Sequence, residues 1–192
     1  MADFWTDPAL EPKRAYRWYV SFGGQSELGG LGYLCKRIDK PSFTISETEH
    51  TFVNHKFYYP GRVDWSEVSM TFVDIVTASG TDGPADAVLT ALVDAGYKVP
   101  GTGDFSTAKT TISKASAYAE LGNIIIRQID AEGEEVEKWT LHNPWIKSIK
   151  LGSLEYGNDS MMTVDIGVRY DWATYESQGL GTGTKLWSVE DE

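Results

Sequence analysis

Strict alternation of apolar and polar residues is the clearest pattern along the chain. From Met162 to Trp172 every even position is apolar and every odd position is polar or glycine. Side chains that alternate in this way are typical of a β-strand with one buried face. The same alternation recurs over residues 15–22 and 67–72. We therefore expect a protein built mainly from β-sheets.

Further strands are indicated by β-branched and aromatic residues between turn signals. The remaining extended segments are predicted at 31–38, 43–48, 51–59, 65–73, 123–130, 136–141 and 145–154. A break is expected at Pro60-Gly61, and turns are expected at 131–134 and 156–160. Isoleucines on both faces of residues 124–129 predict a central strand that is covered on each side.

One amphipathic helix is predicted from Pro84 to Ala95. Gly83 can serve as its N-cap, proline suits the first helical position, and Gly96 would end it. The face that we expect to pack on the sheet carries Val88, Leu89, Leu92 and Val93. The segment 106–121, rich in alanine, serine and threonine, fits a second helix and a loop with a short helical turn equally well.

These elements predict a mainly β fold, a β-sandwich or barrel with one flanking α-helix. A chain of 192 residues needs only one domain of this kind. We place the domain at residues 15–175, after an N-terminal arm at 1–14 and before a flexible, glycine-rich C-terminal tail at 176–192. Because aromatic residues make up 12% of the chain, much of the buried surface should come from them.

The charge of the chain narrows the possible functions. Its net charge is −11 at pH 7, whereas proteins that hold nucleic acid draw their affinity from clustered Lys and Arg. A negative surface would still suit a channel through which DNA passes without adhering. No stretch approaches the roughly 20 apolar residues that cross a bilayer, and the N-terminus has no apolar signal-peptide core. We expect a soluble protein, made inside the cell, that does not bind membranes.

Residues that could carry catalysis or bind a metal form no recognisable motif. His50, His55 and His142 lack the spacing of a metalloprotease helix. Cys35, the only cysteine, lies on a predicted strand without a nearby histidine, and we expect a buried thiol. The string from Gly179 to Lys185 is glycine-rich but lacks the glycine and hydroxyl residue that flank the lysine of a phosphate loop. We therefore expect no enzyme, no cofactor and no metal site.

Several short strings, in their order along the chain, resemble the tail-tube protein family of contractile, T4-type bacteriophages. The resemblance covers roughly residues 14–175. It rests on Cys35-Lys36 followed by Pro41, on Asn54-His55-Lys56, on Asp64-Trp65 leading to Asp74, on Lys138-Trp139 to Trp145, and on Tyr170-Asp171-Trp172. The long segments 76–83 and 101–121 and the tail after residue 175 depart from the family pattern.

The resemblance implies a structural subunit of a hollow tube inside a contractile sheath. Its subunits would form stacked, hexameric rings, with strands joining a barrel around a lumen that conducts DNA. The implied partners are other copies of the chain and the sheath, baseplate, tape-measure and terminator proteins, and DNA would pass without sequence-specific binding. The implied location is the virion tail, after assembly in the host cytoplasm. A tube protein of a related secretion or contractile injection machine is an alternative.

Three sets of candidate site residues follow from an assembling tube, whose open sheet edges neighbouring copies would cover. The candidate lumen-facing residues are Glu47, Glu49, Thr51 and Lys56. The candidate contacts between rings or with the sheath are Glu132, Glu134, Glu135 and Glu137. The candidate core or interface anchors are Trp65, Trp139, Trp145 and Trp172.

Two other classes of protein stay open. A β-sandwich glycan-binding module would account for the seven tryptophans and ten tyrosines. An enzyme of unrecognised type would need a pocket that holds carboxylates or histidines with perturbed pKa values.

Overall fold

The computed structural model describes residues 11–24, 27–76, 83–99, 111–177 and 184–186. The strands are β1 (Trp18–Phe22), β2 (Cys35–Ile38), β3 (Phe43–Phe52), β4 (His55–Trp65), β5 (Val68–Val73), β6 (Ile124–Ile129), β7 (Glu135–His142), β8 (Trp145–Lys150), β9 (Thr163–Arg169), β10 (Trp172–Ser177) and β11 (Thr184–Leu186). The helices are a 3-10 helix (Glu27–Leu34), α1 (Pro84–Asp94) and α2 (Lys114–Leu121).

Two antiparallel sheets pack face to face. Sheet A has the order β1-β6-β7-β10-β11, sheet B has the order β2-β5-β9-β8, and β3 and β4 form a separate hairpin. The alternating residues of β5 and β9 fill the space between the sheets, where they meet Ile124 and Ile126 of β6 and Leu141 of β7. The predicted fold class, mainly β with a flanking helix, is confirmed.

The alternating stretch 162–172 is two strands rather than one. β9 ends at Arg169, the chain turns, and β10 begins at Trp172 in the other sheet. Tyr170 is buried as predicted, but Trp172 is 37% exposed and Ala173 takes the inward position. The Asp171 carboxylate holds this corner, because it accepts hydrogen bonds from Asn143 Nδ2 and Lys114 Nζ.

The helix α1 has nearly the predicted bounds but a different buried face. Its buried residues are Pro84, Ala87, Val88 and Ala91, whereas Leu89 and Val93 are 41% and 50% exposed. Small alanines allow the helix backbone to lie close to its neighbours, so the packed stripe follows the i, i+3, i+4, i+7 spacing. Only Val88 of the predicted face is fully buried.

The undecided segment 106–121 contains the helix α2 over its described part, and residues 106–110 lie outside the described residues. Ser113 is its N-cap, and its hydroxyl accepts a hydrogen bond from the Ser116 amide at 3.0 Å. Gly122 ends the helix with a φ of 57°. An added Cβ there would lie 2.3 Å from the backbone of Gly23 and Gly24, so the position requires glycine.

The segments predicted at 43–48 and 51–59 belong to one long hairpin. Its turn lies at Val53 and Asn54, and β4 continues through Pro60-Gly61 to Trp65, so the predicted break is wrong. Proline is tolerated because, among the described strands, β4 pairs with β3 alone and needs no backbone N–H donor on its other side. A bulge opposite Ser46 accommodates the irregular pairing of the two strands at this point. The Ser46 hydroxyl accepts a hydrogen bond from the Arg62 amide at 2.8 Å.

Other boundaries differ more locally. Residues 31–34, predicted as strand, lie in the 3-10 helix, since the surrounding glycines permit a tight turn. The strand predicted at 145–154 ends at Lys150. The division into arm, domain and tail stays a prediction, although β10 reaches Ser177 and β11 pairs with it within the segment interpreted as a tail. Residues 1–10 and 187–192 lie outside the described residues.

Candidate assembly surface

The hairpin β3–β4 stands apart from the sandwich. All of β3 is exposed, and so is β4 up to its last residue, Trp65. Over the described part of the chain, the two strands pair with each other and with no third strand. An isolated two-stranded hairpin is marginally stable in water, and a third strand or a packed face is normally required. This surface therefore has the properties of one that another chain covers.

The root of the hairpin is continuous with sheet B. The pair Ile38↔Met70 of β2 and β5 is followed by a 3.0 Å hydrogen bond from the Asp39 amide to the Ser69 carbonyl. The ladder resumes at the pair Phe43↔Trp65. The Trp65 ring lies 5.2 Å from the ring of Phe43 and 5.9 Å from that of Tyr170 in the core. The hairpin is thus the outward extension of β2 and β5, anchored by one tryptophan.

The two faces of the hairpin differ in chemistry. The four candidate lumen residues share one face, where the Glu49 carboxylate lies 2.9 Å from Lys56 Nζ and 3.1 Å from Thr51 Oγ1. The other face is aromatic, and its exposed residues are Phe52, Phe57 and Tyr59, with His50 and His55 beside them. These four residues share a face because Thr51 of β3 is the cross-strand partner of Lys56 of β4, and their position at the lumen stays a prediction.

The acids around the β6–β7 turn do not act as one set. Glu132 and Glu134 are exposed on a tight turn. The Asp130 carboxylate accepts hydrogen bonds from the backbone amides of both residues. Glu135 is half-buried, forms an ion pair with Arg127 (Nε to carboxylate oxygen 2.7 Å) and accepts a hydrogen bond from the Tyr19 hydroxyl at 2.8 Å. Among the four candidates, the two glutamates of the turn are the ones available to another chain.

Glu137, the fourth candidate, lies inside the subunit and is only 7% exposed. Its carboxylate accepts hydrogen bonds from Lys13 Nζ at 2.6 Å, Lys40 Nζ at 2.6 Å and Trp139 Nε1 at 2.7 Å. Burial alone would raise the pKa of Glu137, but these donors outweigh that effect and lower it to about 2. Glu137 therefore ties the N-terminal segment and the root of the hairpin to sheet A.

The four candidate tryptophans divide into two pairs. Trp65 and Trp139 are half-buried and pack against the core, and Trp139 lies 4.7 Å from the ring of Tyr175. Trp145 and Trp172 lie at the surface, where Trp172 stacks on His142 with ring centroids 5.0 Å apart. The first pair anchors the core, and the second pair is accessible to a partner.

A groove of about 440 Å³ runs between α1, α2 and the start of β8. Most of its lining residues are apolar: Ala91, Leu92, Ala95, Ile112, Ala117, Leu121, Trp145 and Ile146. Lys114 and Glu120 add one charge of each sign. The groove borders β8, the edge strand of sheet B opposite to β2. It was not foreseen from the sequence, because its lining comes from three separate elements.

Within the described ranges, no group of three or more His, Cys, Asp or Glu residues could hold a metal ion. Burial raises the pKa of the Cys35 thiol to about 12.

None of the helices in the described ranges is long and apolar enough to span a bilayer.

The fold is similar to that of chains in solved contractile injection systems. A chain in the extended-state sheath/tube terminator of the PVC extracellular contractile injection system is 15% identical, with a TM-score of 0.59 over 87% of this chain and 98% of that one. A chain in the tube-terminating cap of the anti-feeding prophage is 14% identical, with a TM-score of 0.58 over 92% and 99%. A chain in the PVC sheath–tube complex is 15% identical, with a TM-score of 0.55 over 86% and 92%.

No protein-family model and no curated protein matches the chain. At these identities the solved structures establish the fold. The chain has the fold of component chains of contractile injection systems, as its resemblance to the tail-tube family predicted.

Proposed function

We propose that this chain is a structural, non-enzymatic subunit of the tube of a contractile machine, and that its task is to assemble with copies of itself. The observation that carries the proposal is the hairpin β3–β4, which is exposed on both faces and joined to a sheet with open edges. A subunit that worked alone would need to blunt such edges. The fold shared with a chain of a sheath–tube complex supports the same function.

In the finer form of the proposal, the subunits form stacked, hexameric rings within a contractile sheath of a phage tail. The lumen conducts DNA, and the net charge of −11 suits passage without adhesion. The partners are the sheath, baseplate, tape-measure and terminator proteins. The location is the virion tail, after assembly in the host cytoplasm. This form rests on the resemblance to the tail-tube family.

The second candidate is the tube of an extracellular contractile injection system, which delivers a different cargo. The similar solved chains come from such systems, and this observation favours it. The two candidates differ in what fills the particle. Nuclease-protected DNA in particles purified with this protein would support the phage tail, and particles that contain protein and no nucleic acid would support the injection system.

The proposal is tested on the purified full chain by sedimentation velocity and negative-stain microscopy over a range of concentrations, with and without a baseplate seed. We expect rings, or tubes of uniform diameter. A chain that stays monomeric up to millimolar concentration, even with a seed, would overturn the proposal. Saturable binding of an oligosaccharide by that monomer would favour the glycan-binding module instead.

A further inference from the structure

Sheet B ends in two unlike edges. One edge is β2, which continues outward as the hairpin strand β3, and the other is β8. Within the described ranges, neither β3 on its outer side nor β8 on its outer side has a further partner. Open backbone amides and carbonyls on such edges are templates for a strand from another chain.

The charges on the two edges are opposite. β3 carries Glu47 and Glu49 and neither Lys nor Arg, whereas β8 carries Lys147 and Lys150 and no acid. Glu49 and Lys147 already form intrachain ion pairs with Lys56 and Glu67, so the charge difference rests mainly on Glu47 and Lys150. Two copies of β8 brought side by side would repel each other, and so would two copies of β3, because like charges on facing strands are destabilising. Pairing of β3 with β8 brings opposite charges together instead.

The apolar surfaces of the two edges also complement each other. β8 begins at Trp145, which is accessible and lines the 440 Å³ groove. The hairpin carries the exposed aromatic residues Phe52, Phe57 and Tyr59. Aromatic side chains of a neighbouring hairpin that entered the groove would remove both apolar surfaces from water.

We propose that β8 and its groove on one copy receive the β3–β4 hairpin of the next copy, head to tail. This inference rests on the proposed function, since it names the partner of the assembly surface. A contact between two different patches is heterologous, so every copy offers one free hairpin and one free β8 edge. Such contacts form a closed ring when the rotation that relates one copy to the next divides a full turn evenly, and they do not stop at a two-fold dimer.

A photocrosslinking experiment tests the location of the contact. The variant Trp145→p-benzoylphenylalanine keeps an aromatic ring at the groove and is irradiated after assembly of a mixture with isotopically labelled wild-type chain. We expect crosslinks between copies that map to residues 43–65. Crosslinks that map only to the 131–135 turn, or to β8 of the second copy, would overturn the inference and leave the proposed function intact. Failure of wild-type chain to assemble would instead contradict the proposed function.

A charge-swap experiment tests whether β3 of one copy pairs with β8 of the next. Glu47 and Lys150 take part in no intrachain ion pair within the described residues, so Glu47→Lys and Lys150→Glu leave the known pairs in place. Each change alone should raise the assembly threshold by about 1.5-fold to fivefold, from the usual size of cross-strand charge effects. The two changes in one chain should bring the threshold back towards the wild-type value.

The matched control for the charge swap is Asp159→Lys, a reversal of an exposed acid in the loop before β9. It should leave the threshold unchanged. Melting curves of the dilute variants show whether each subunit is folded. Equal thresholds for wild type, both single variants and the double variant, with all subunits folded, would overturn the inference.

Discussion

The carboxylate of Glu137 links three parts of the chain through Lys13, Lys40 and Trp139. Its pKa is lowered from 4.5 to about 2, so the charged form is favoured in the folded state. The stability that this group contributes is fully present above pH 4.5 and is lost as the pH falls towards 2. Loss of the charge would release both lysines from sheet A.

The variant Glu137→Gln should lower the free energy of unfolding by about 1 to 3 kcal/mol at pH 7, because the part-buried ion pairs with Lys13 and Lys40 lose their negative partner. The free energy of unfolding should also fall less steeply with acidification below pH 4.5 than in wild type. Urea titrations at several pH values measure both effects. The exposed Glu132→Gln is the control and should behave as wild type, and an unchanged acid slope in Glu137→Gln would contradict the assignment.

The backbone at Gly122 has no room for a methyl group and a φ of 57°. We expect Gly122→Ala to destabilise the subunit by at least about 2 kcal/mol, since strain and a backbone clash add. Gly157→Ala is the matched control, because nothing lies within 4 Å of an added Cβ there. Thermal unfolding of both variants measures the difference, and equal melting temperatures would refute the close approach of α2 to the β1 turn.

The helix α1 packs through its stripe of alanines and Val88. Val88 is fully buried and Val93 is half exposed on the same helix. Val88→Ala should cost about 2 kcal/mol through lost apolar contacts and a small cavity, whereas Val93→Ala should cost under about 0.5 kcal/mol. Denaturant titration of the two variants measures both losses of stability. A larger loss for Val93→Ala than for Val88→Ala would contradict the observed buried face of α1.

Several elements could be predicted from the sequence because their signals are local. The alternation of β5 and β9 and the Pro84 and Gly96 boundaries of α1 depend on nearby residues alone. The sheet change at Asp171 could not be predicted, since alternation of even positions continues unchanged up to it. The path of β4 through Pro60 depends on the lack of a third strand beside it in the described part of the chain, which no local pattern reports.

The candidate site was predicted only in part, for the same reason. On the predicted strand 51–59, Thr51 and Lys56 would point to opposite faces, and they share a face only because the chain turns at Val53 and Asn54 and pairs them across two strands. The role of Glu137 depends on Lys13 and Lys40, which are 124 and 97 residues away in the chain. The groove beside β8 likewise depends on how α1 and α2 pack.

Folding of the subunit and its self-assembly should be separable. Replacing residues 49–58 by Asn-Gly joins the paired Thr48 and Tyr59 through a two-residue turn. No residue of the removed segment belongs to the core, so the free energy of unfolding should change by less than about 1 kcal/mol. Self-assembly should be lost. Circular dichroism and sedimentation velocity measure the two properties, and normal assembly of the shortened chain would contradict the role of the hairpin.

The continuity of the hairpin with β2 and β5 has a mechanical consequence. Hydrogen bonds between antiparallel strands run across the strands, so a pull along the hairpin stresses all rungs of the ladder together. The load enters β5, which lies inside sheet B between β2 and β9. A tube whose joints are made by such hairpins would resist axial thrust in shear, and would yield much more easily to a sideways force that peels one strand from its neighbour.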